Sequence, residues 1–300
     1  MRLFPCDAFP LPLPAGHRFP LAKYALLRER LEAHAAAGAP FAFVVPHAAT
    51  DDELLRVHDR AYVGRVLAGT LAPAEVRRIG FPWSPELVER SLRSTGAAVD
   101  AAAAALADGV AASLAGGTHH AGIAFGEGYC VFNDTAVAAR EMQARGAVRR
   151  VLILDCDVHQ GNGTAEIFAA DESVFTMSIH GERNFPLRKH PGSLDVPLAD
   201  GTGDDEYLTA LERAVVESFD RARPDLVLYI AGADPYVGDR LGRLALSKPG
   251  LAVRDGLVLA AARRAGTPVA IVCGGGYSAD LEAIVDIHAA TMLLAARPPA

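Results

Sequence analysis

Cysteine is scarce: four among 300 residues, at positions 6, 130, 156 and 273, with no CxxC pair. That argues against a disulfide framework or a cysteine zinc knuckle. The four read as free thiols in a reducing compartment, which makes the cytoplasm the expected location. No stretch reaches about eighteen uninterrupted apolar residues, so no membrane span is expected. Long basic runs are missing too. Arginine pairs at 77–78, 149–150 and 263–264 stand alone, and 29 Lys and Arg against 36 Asp and Glu leave a formal charge of -7. Nucleic acid is therefore a disfavoured partner. The opening MRLFPCDAFPLPLP, with an early Asp and scattered prolines, is a poor match to a signal peptide. With no internal repeat and no Gly/Ser linker, residues 1–300 are expected to form one domain, and the 51% hydrophobic content suffices for a large core.

What is present is a regular alternation. Short aliphatic runs at 41–45, 109–115, 151–154, 173–179, 225–231 and 268–273 read as buried strands. Between them, helical patterns cover 51–67, 85–106, 133–146, 205–222 and 248–266, with Asn133 and Asp204 as candidate caps and Gly146 and Gly266 as stops. The Ala-rich 97–109 reads as a packing helix. Strands alternating with helices predict an α/β fold, a single open parallel sheet with helices on both faces.

In such a sheet, ligands bind beyond the carboxyl ends of the strands. The chemistry-bearing residues follow those ends. GGTHHAG, with His119 and His120, follows 109–115; DCDVHQGNG follows 151–154; Asp234 follows 225–231; GGGY, with Tyr277, follows 268–273. Asp155, Asp157 and His159 recur with period two, so an extended chain puts them on one face. Asp157 and His159, joined by Asp234 from the neighbouring strand, can hold one metal. Two carboxylates and an imidazole suit Zn(II), and carboxylate-rich sites also accept Fe(II). His119 and His120 suit proton transfer, although neighbours in a loop need not point the same way. The three glycines of GGGY allow a sharp turn that presents the Tyr277 hydroxyl to a developing oxyanion. Cys130 and Cys156 read as packing residues. His34, His47, His190 and His288 receive no role.

Taken together, GGTHHA, GYCVFND (128–134), LDCDVHQGNGT, TMSIH (176–180), AGADPYVGDRLG (231–242) and CGGGYS (273–278) resemble the histone deacetylase family, which belongs with arginase in one superfamily. VHDRAYV (57–63) fits as well, and the resemblance implies a pocket rim at His17-Arg18-Phe19-Pro20, for which an ordinary proline-ended loop is the alternative. HQGNG, RIGFPWSP and DRLGRLALS look most like the class IV branch and its bacterial relatives. The resemblance implies an arginase/deacetylase-like fold and a zinc site of Asp157, His159 and Asp234. It implies His120 as general base and acid, His119 as its partner in polarising water, Asp155 as hydrogen-bond partner of His119, and Tyr277 as the transition-state tyrosine. It further implies a structural potassium ion at Asp155, Ser178 and Ile179, and an acyl-lysine tunnel walled by Gly128, Tyr129, Phe185 and Leu241.

Two departures stand out. Many class I members carry aspartate at the Asn162 position, as partner of the second histidine; asparagine brings no charge there. Arginases place an aspartate two residues past the histidine, where this chain has Gly161, so one metal is expected rather than two. The expected activity is a metal-dependent amidohydrolase acting on an acylated lysine. Acetylpolyamines or other small N-acyl amines are the alternative substrates. A non-catalytic acyl-lysine binder is disfavoured because the ligands, His120 and Tyr277 are all present. Acyl length and oligomeric state have no sequence signal.

Overall fold

The computed structural model describes residues 1–297. Among the described residues, eight strands form one sheet: β1 (Arg2–Phe4), β2 (Ala42–Phe43), β3 (Val110–Ser113), β4 (Val151–Asp155), β5 (Val174–Gly181), β6 (Leu194–Leu198), β7 (Leu226–Ile230) and β8 (Val269–Val272). Their order is β2-β1-β3-β8-β7-β4-β5-β6, and every pairing is parallel. The α/β open parallel sheet expected from the alternation is the one observed.

Both faces are covered, which is why the central strands are apolar without a break. Val151 and Ile153 of β4 pack into one core with α5 (Pro85–Asp108) and α6 (Asp134–Ala144). Leu152 and Leu154 pack into the other with α1 (Lys23–Ala36), α8 (Asp204–Ala222), α9 (Lys248–Ala265) and α10 (Leu281–Ala295). The Ala-rich stretch forms the second half of α5. Its fully buried Ala97, Ala101, Ala102 and Ala105 let the helix lie close to the sheet. Ser84 caps that helix by accepting from the Leu87 amide, and Pro85 occupies its first position, where no backbone donor is needed.

Several elements differ from expectation. The 51–67 helix is two, α2 (Asp51–Leu55) and α3 (Arg60–Ala68), because Asp59 caps a new start by accepting from the Tyr62 amide. The expected strand 41–45 shrinks to two residues at the sheet edge. Asn133 caps α6 as expected, but Asp204 does not cap α8; Gly203 holds that position, and Asp204 instead accepts from the Ser247 amide and hydroxyl at the start of α9. Strands β1 and β6 were not legible. The first is three residues long, and the second carries Asp195 and Pro197, which only an edge strand tolerates. Helices α1, α4 (Pro73–Ile79), α7 (Asn162–Ile167) and α10 were likewise not anticipated.

Register decides where the site lies. Asp155 is level with Ser178 on β5 and Ile230 on β7, Ile230 with Val272 on β8, and Val272 with Ser113 on β3. Strands β3, β8, β7 and β4 therefore end in line, β5 runs on from Ser178 to Gly181, and the loops beyond them leave the sheet on the same side.

Candidate active site

The chain bends after Asp155, yet the alternation of β4 persists through the bend. Cys156 and Val158 continue the apolar face with Leu152 and Leu154, while Asp155, Asp157 and His159 turn the other way. Asp157, His159 and Asp234 are all buried and offer ligand atoms within 4.8 Å of one another. His159 Nδ1 lies 3.0 Å from Asp157 Oδ1 and 3.2 Å from Asp234 Oδ2.

Backbone donors fix the carboxylates. The Gly275 amide donates to Asp157 Oδ2 at 2.6 Å, the Val158 amide to Asp234 Oδ1 at 2.8 Å, and the Asp157 amide to Asp155 Oδ1 at 3.0 Å. Gly275 has to be glycine: a Cβ there would run into the Asp234 carboxylate. Burial, and then the neighbouring Asp157, push the Asp234 carboxyl up to about 7. Burial opposes a charge on His159, but its bonds to Asp157 and Asp234 prevail and raise it to about 10. Buried like charges held this close fit a divalent cation, and two carboxylates with one imidazole are a donor set that Zn(II) or Fe(II) accepts.

The tandem histidines both face the site. Their ring centroids are 4.1 Å apart. His119 Nδ1 bonds Asp155 Oδ2 at 2.7 Å, and His120 Nδ1 bonds Asn162 Oδ1 at 2.7 Å. Their environments diverge. Burial disfavours the His119 cation, but Asp155 and Asp157 outweigh it and hold this imidazole up to about 9. Burial and the positive neighbours His119 and His159 drive His120 well below the ordinary imidazole range. The surroundings of His119 thus favour its cation and those of His120 the neutral ring.

Tyr277 completes the cavity, its ring centroid 6.3 Å from that of His159. Its amide donates to Asp239 Oδ2 at 2.6 Å, and its carbonyl accepts from Arg240 Nε at 2.8 Å. Burial first, then Asp157 and Asp234, raise its phenol well above the usual range, so it remains an O–H donor.

The same cavity is lined by Gly128, Tyr129, Phe19 and Cys130. Gly128 is tight against the histidine: a Cβ there would stand 2.7 Å from His120 Cδ2. Tyr129 packs at 5.3 Å from Phe19 and 5.1 Å from Phe81. Phe185, 41% exposed, stands edge-on to His120 with centroids 4.9 Å apart. Leu241 is tied to the Phe185 loop, its carbonyl accepting from Asn184 Nδ2 at 2.7 Å. The rim segment contributes Phe19 to the wall, while His17 bonds the Gly80 carbonyl at 3.0 Å. Cys156 lies in the opposite core, as its alternation implied. Next to Asp155, Ser178 is level with it across the β4–β5 pair and bonds His180 Nδ1 at 2.9 Å, and buried Ile179 follows.

Four contributors were not anticipated from the sequence. Lys23, buried on α1, donates to the Gly276 carbonyl at 3.1 Å and lines the cavity. Asp239 holds Tyr277. Asp134 accepts from the Gly117 and Thr118 amides at 2.9 Å, shaping the turn before His119. Glu127 accepts from Asn162 Nδ2 at 2.6 Å. Only a DR pair beside LG and an acid beside GY hinted at the second and the last.

The histone deacetylase domain family model matches residues 17–292. The chain is 44% identical over 277 residues to an uncharacterized protein of Picosynechococcus sp., covering 92% of each. It is 35% identical over 245 residues to a histone deacetylase-like amidohydrolase of Pseudomonas aeruginosa, covering 77% of this chain and 64% of that one. Among solved structures, an HDAC homologue from Aquifex aeolicus superposes with a TM-score of 0.83 at 25% identity, over 99% of this chain and 84% of that one; a similar match is to an HDAC homologue complexed with SAHA.

Proposed function

The chain belongs to the histone deacetylase family, and from that premise we propose that it is a zinc-dependent amidohydrolase that removes an acyl group from a lysine-like amine. The observation that carries this reading is geometric: buried Asp157, His159 and Asp234 offer ligand atoms within 4.8 Å of one another, beside a cavity lined by His119, His120 and Tyr277. Asp157, His159 and Asp234 would hold the cation. A divalent cation there supplies Lewis acidity toward an amide carbonyl and lowers the pKa of water.

The remaining chemistry belongs to the chain. His120, neutral, takes the proton of the attacking water and returns it to the departing amine. His119, held positive by Asp155, stabilises negative charge beside it. Tyr277 donates its hydroxyl to the carbonyl oxygen as charge develops there. Gly128, Tyr129 and Phe185 flank the aliphatic stem of the acylated amine, with Leu241 beyond them. Asp155, Ser178 and Ile179 are the proposed structural potassium site. We also assign the chain to the class IV branch, as one catalytic domain over 1–300 acting in the cytoplasm. No helix among the described residues is long and apolar enough to cross a membrane.

Acetylpolyamines and other small N-acyl amines fit the same chemistry and are the second reading. The experiment is a hydrolysis screen of purified protein on acetyl-lysine peptides, long-acyl-lysine peptides and acetylpolyamines, with elemental analysis of the same sample. Turnover confined to polyamines would replace the lysine reading. Acyl-lysine binding without turnover of any substrate, in metal-replete protein, would make the chain a binder.

A further inference from the structure

A directional hydrogen-bond relay runs from the surface to His120. Arg78 Nε donates to Glu127 Oε2 at 2.8 Å; Asn162 Nδ2 donates to Glu127 Oε1 at 2.6 Å; Asn162 Oδ1 faces His120 Nδ1 at 2.7 Å. The donor inventory of each group admits one orientation. A guanidinium only donates and a carboxylate only accepts. Glu127 therefore takes both donors offered to it, and the Asn162 amide must turn its NH₂ toward Glu127. Its carbonyl oxygen, which only accepts, is left for His120. The imidazole must then carry its neutral-form hydrogen on Nδ1, leaving Nε2 as a bare lone pair.

We infer that Glu127 is a positioning residue that sets the tautomer of His120 through Asn162. The backbone holds the relay in place. The Gly128 and Tyr129 amides donate to the Arg78 and Ile79 carbonyls at 3.1 and 2.7 Å, so Glu127 and Arg78 sit on paired segments. Arg78 also lies over the Phe125 ring, 3.9 Å from its centroid. Glu127 is 9% exposed, so the carboxylate has little access to water as an alternative partner. Where a carboxylate bonds a catalytic histidine directly, its charge and its orienting role come from one group. Here they are separated: Asn162 makes the contact, and Glu127 fixes which way Asn162 points.

This inference rests on the amidohydrolase reading for its consequence, since a proton-accepting histidine needs its lone pair on the cavity side. Its test does not depend on turnover. In Glu127→Gln, the side chain still faces two donors but has one acceptor. Arg78 can only donate, so the Gln carbonyl turns to it and the Gln NH₂ faces Asn162. Asn162 then flips, presents NH₂ to His120, and the hydrogen moves to Nε2.

The experiment is ring ¹⁵N NMR on metal-loaded protein labelled at its 10 histidines, with His120→Gln assigning the resonance. Wild type is expected to hold His120 as the Nδ1–H form. Glu127→Gln is expected to shift it toward Nε2–H and to lower kcat/KM by roughly 10²–10⁴-fold, the range for loss of a correctly oriented base, with metal content unchanged. An Nε2–H tautomer in wild type, or an unchanged tautomer in Glu127→Gln, overturns the inference. If the variant does not fold, the wild-type tautomer alone decides. A wild type with the Nδ1–H form and no hydrolysis on any substrate would leave the relay standing and remove the amidohydrolase reading instead.

Discussion

Gly275 donates its amide to Asp157 Oδ2 at 2.6 Å, and a Cβ on Gly275 would stand 2.7 Å from that same oxygen. The backbone of the tyrosine-bearing turn is therefore packed directly on the carboxylates of Asp157 and Asp234, the proposed metal ligands, and the two halves of the site are built on each other. Gly275→Ala is expected to displace Asp157 and Asp234 together. Overpacking of this kind costs about 1–3 kcal/mol, and metal content should fall with it. Thermal unfolding and elemental analysis check this; an alanine variant with full metal and unchanged Tm would show that the turn yields without disturbing the ligands.

Removing a ligand outright should be more decisive. Asp157→Ala and Asp234→Ala each leave two of the three proposed ligands, and a metal so held is weakly bound. Both variants should lack stoichiometric metal after dialysis. Equal metal in wild type and both variants would remove these residues from the ligand set.

Metal binding should strengthen as pH rises, and the sign follows from two groups. The Asp234 carboxyl is raised to about 7 and His159 to about 10, and both must lose a proton to serve as ligands. Raised folded-state values mean that, in chelator-treated protein, the protonated forms stabilise the fold; Asp234's contribution is lost as pH climbs through about 7, and that of His159 as it climbs through about 10. Added metal replaces the proton as the partner of these groups. The gap in Tm between metal-loaded and chelated protein should therefore widen from pH 5.5 to pH 8, in steps set by Asp234. A gap that is flat or narrows over this interval contradicts the assignment.

Tyr277→Phe keeps the ring against Tyr129 and His159 but removes the hydroxyl. Loss of one oxyanion donor lowers kcat by roughly 10²–10³-fold, and KM should change little. Undiminished turnover on the best substrate would rule out this role.

Asn162→Asp would place a negative group against His120, which favours imidazolium and should move the acidic limb of the kcat/KM profile to higher pH. Glu127 complicates this. At 2.6 Å from the Asn162 side chain, it would meet a second carboxylate, and the pair is expected to share a proton. The single variant should thus shift the limb less than Asn162→Asp combined with Glu127→Gln. Paired pH–rate profiles test the order; identical limbs in wild type and the double variant would mean that position 162 does not tune the base.

The parallel sheet and the candidate metal triad of Asp157, His159 and Asp234 could be read from the chain alone, because both rest on local patterns. Period two carries from Val151 through the bend to His159, and aliphatic runs that end in Asp, His or Gly mark the edge where ligands bind. The tandem histidines and GGGY were legible for the same reason. Tertiary structure decided the rest. Two adjacent loop histidines can point apart; they converge here because Asp155 and Asn162, arriving from β4 and the start of α7, each take one ring. Helix 51–67 breaks because Asp59 finds the Tyr62 amide, a competition that hydrophobic spacing does not register. Glu127 and Asn162 lie 35 residues apart, and Lys23 and Gly276 lie 253 apart. Contacts of that kind leave no period in the sequence. They exist only once the sheet has brought its strand ends level, and they determine which proton each side chain holds.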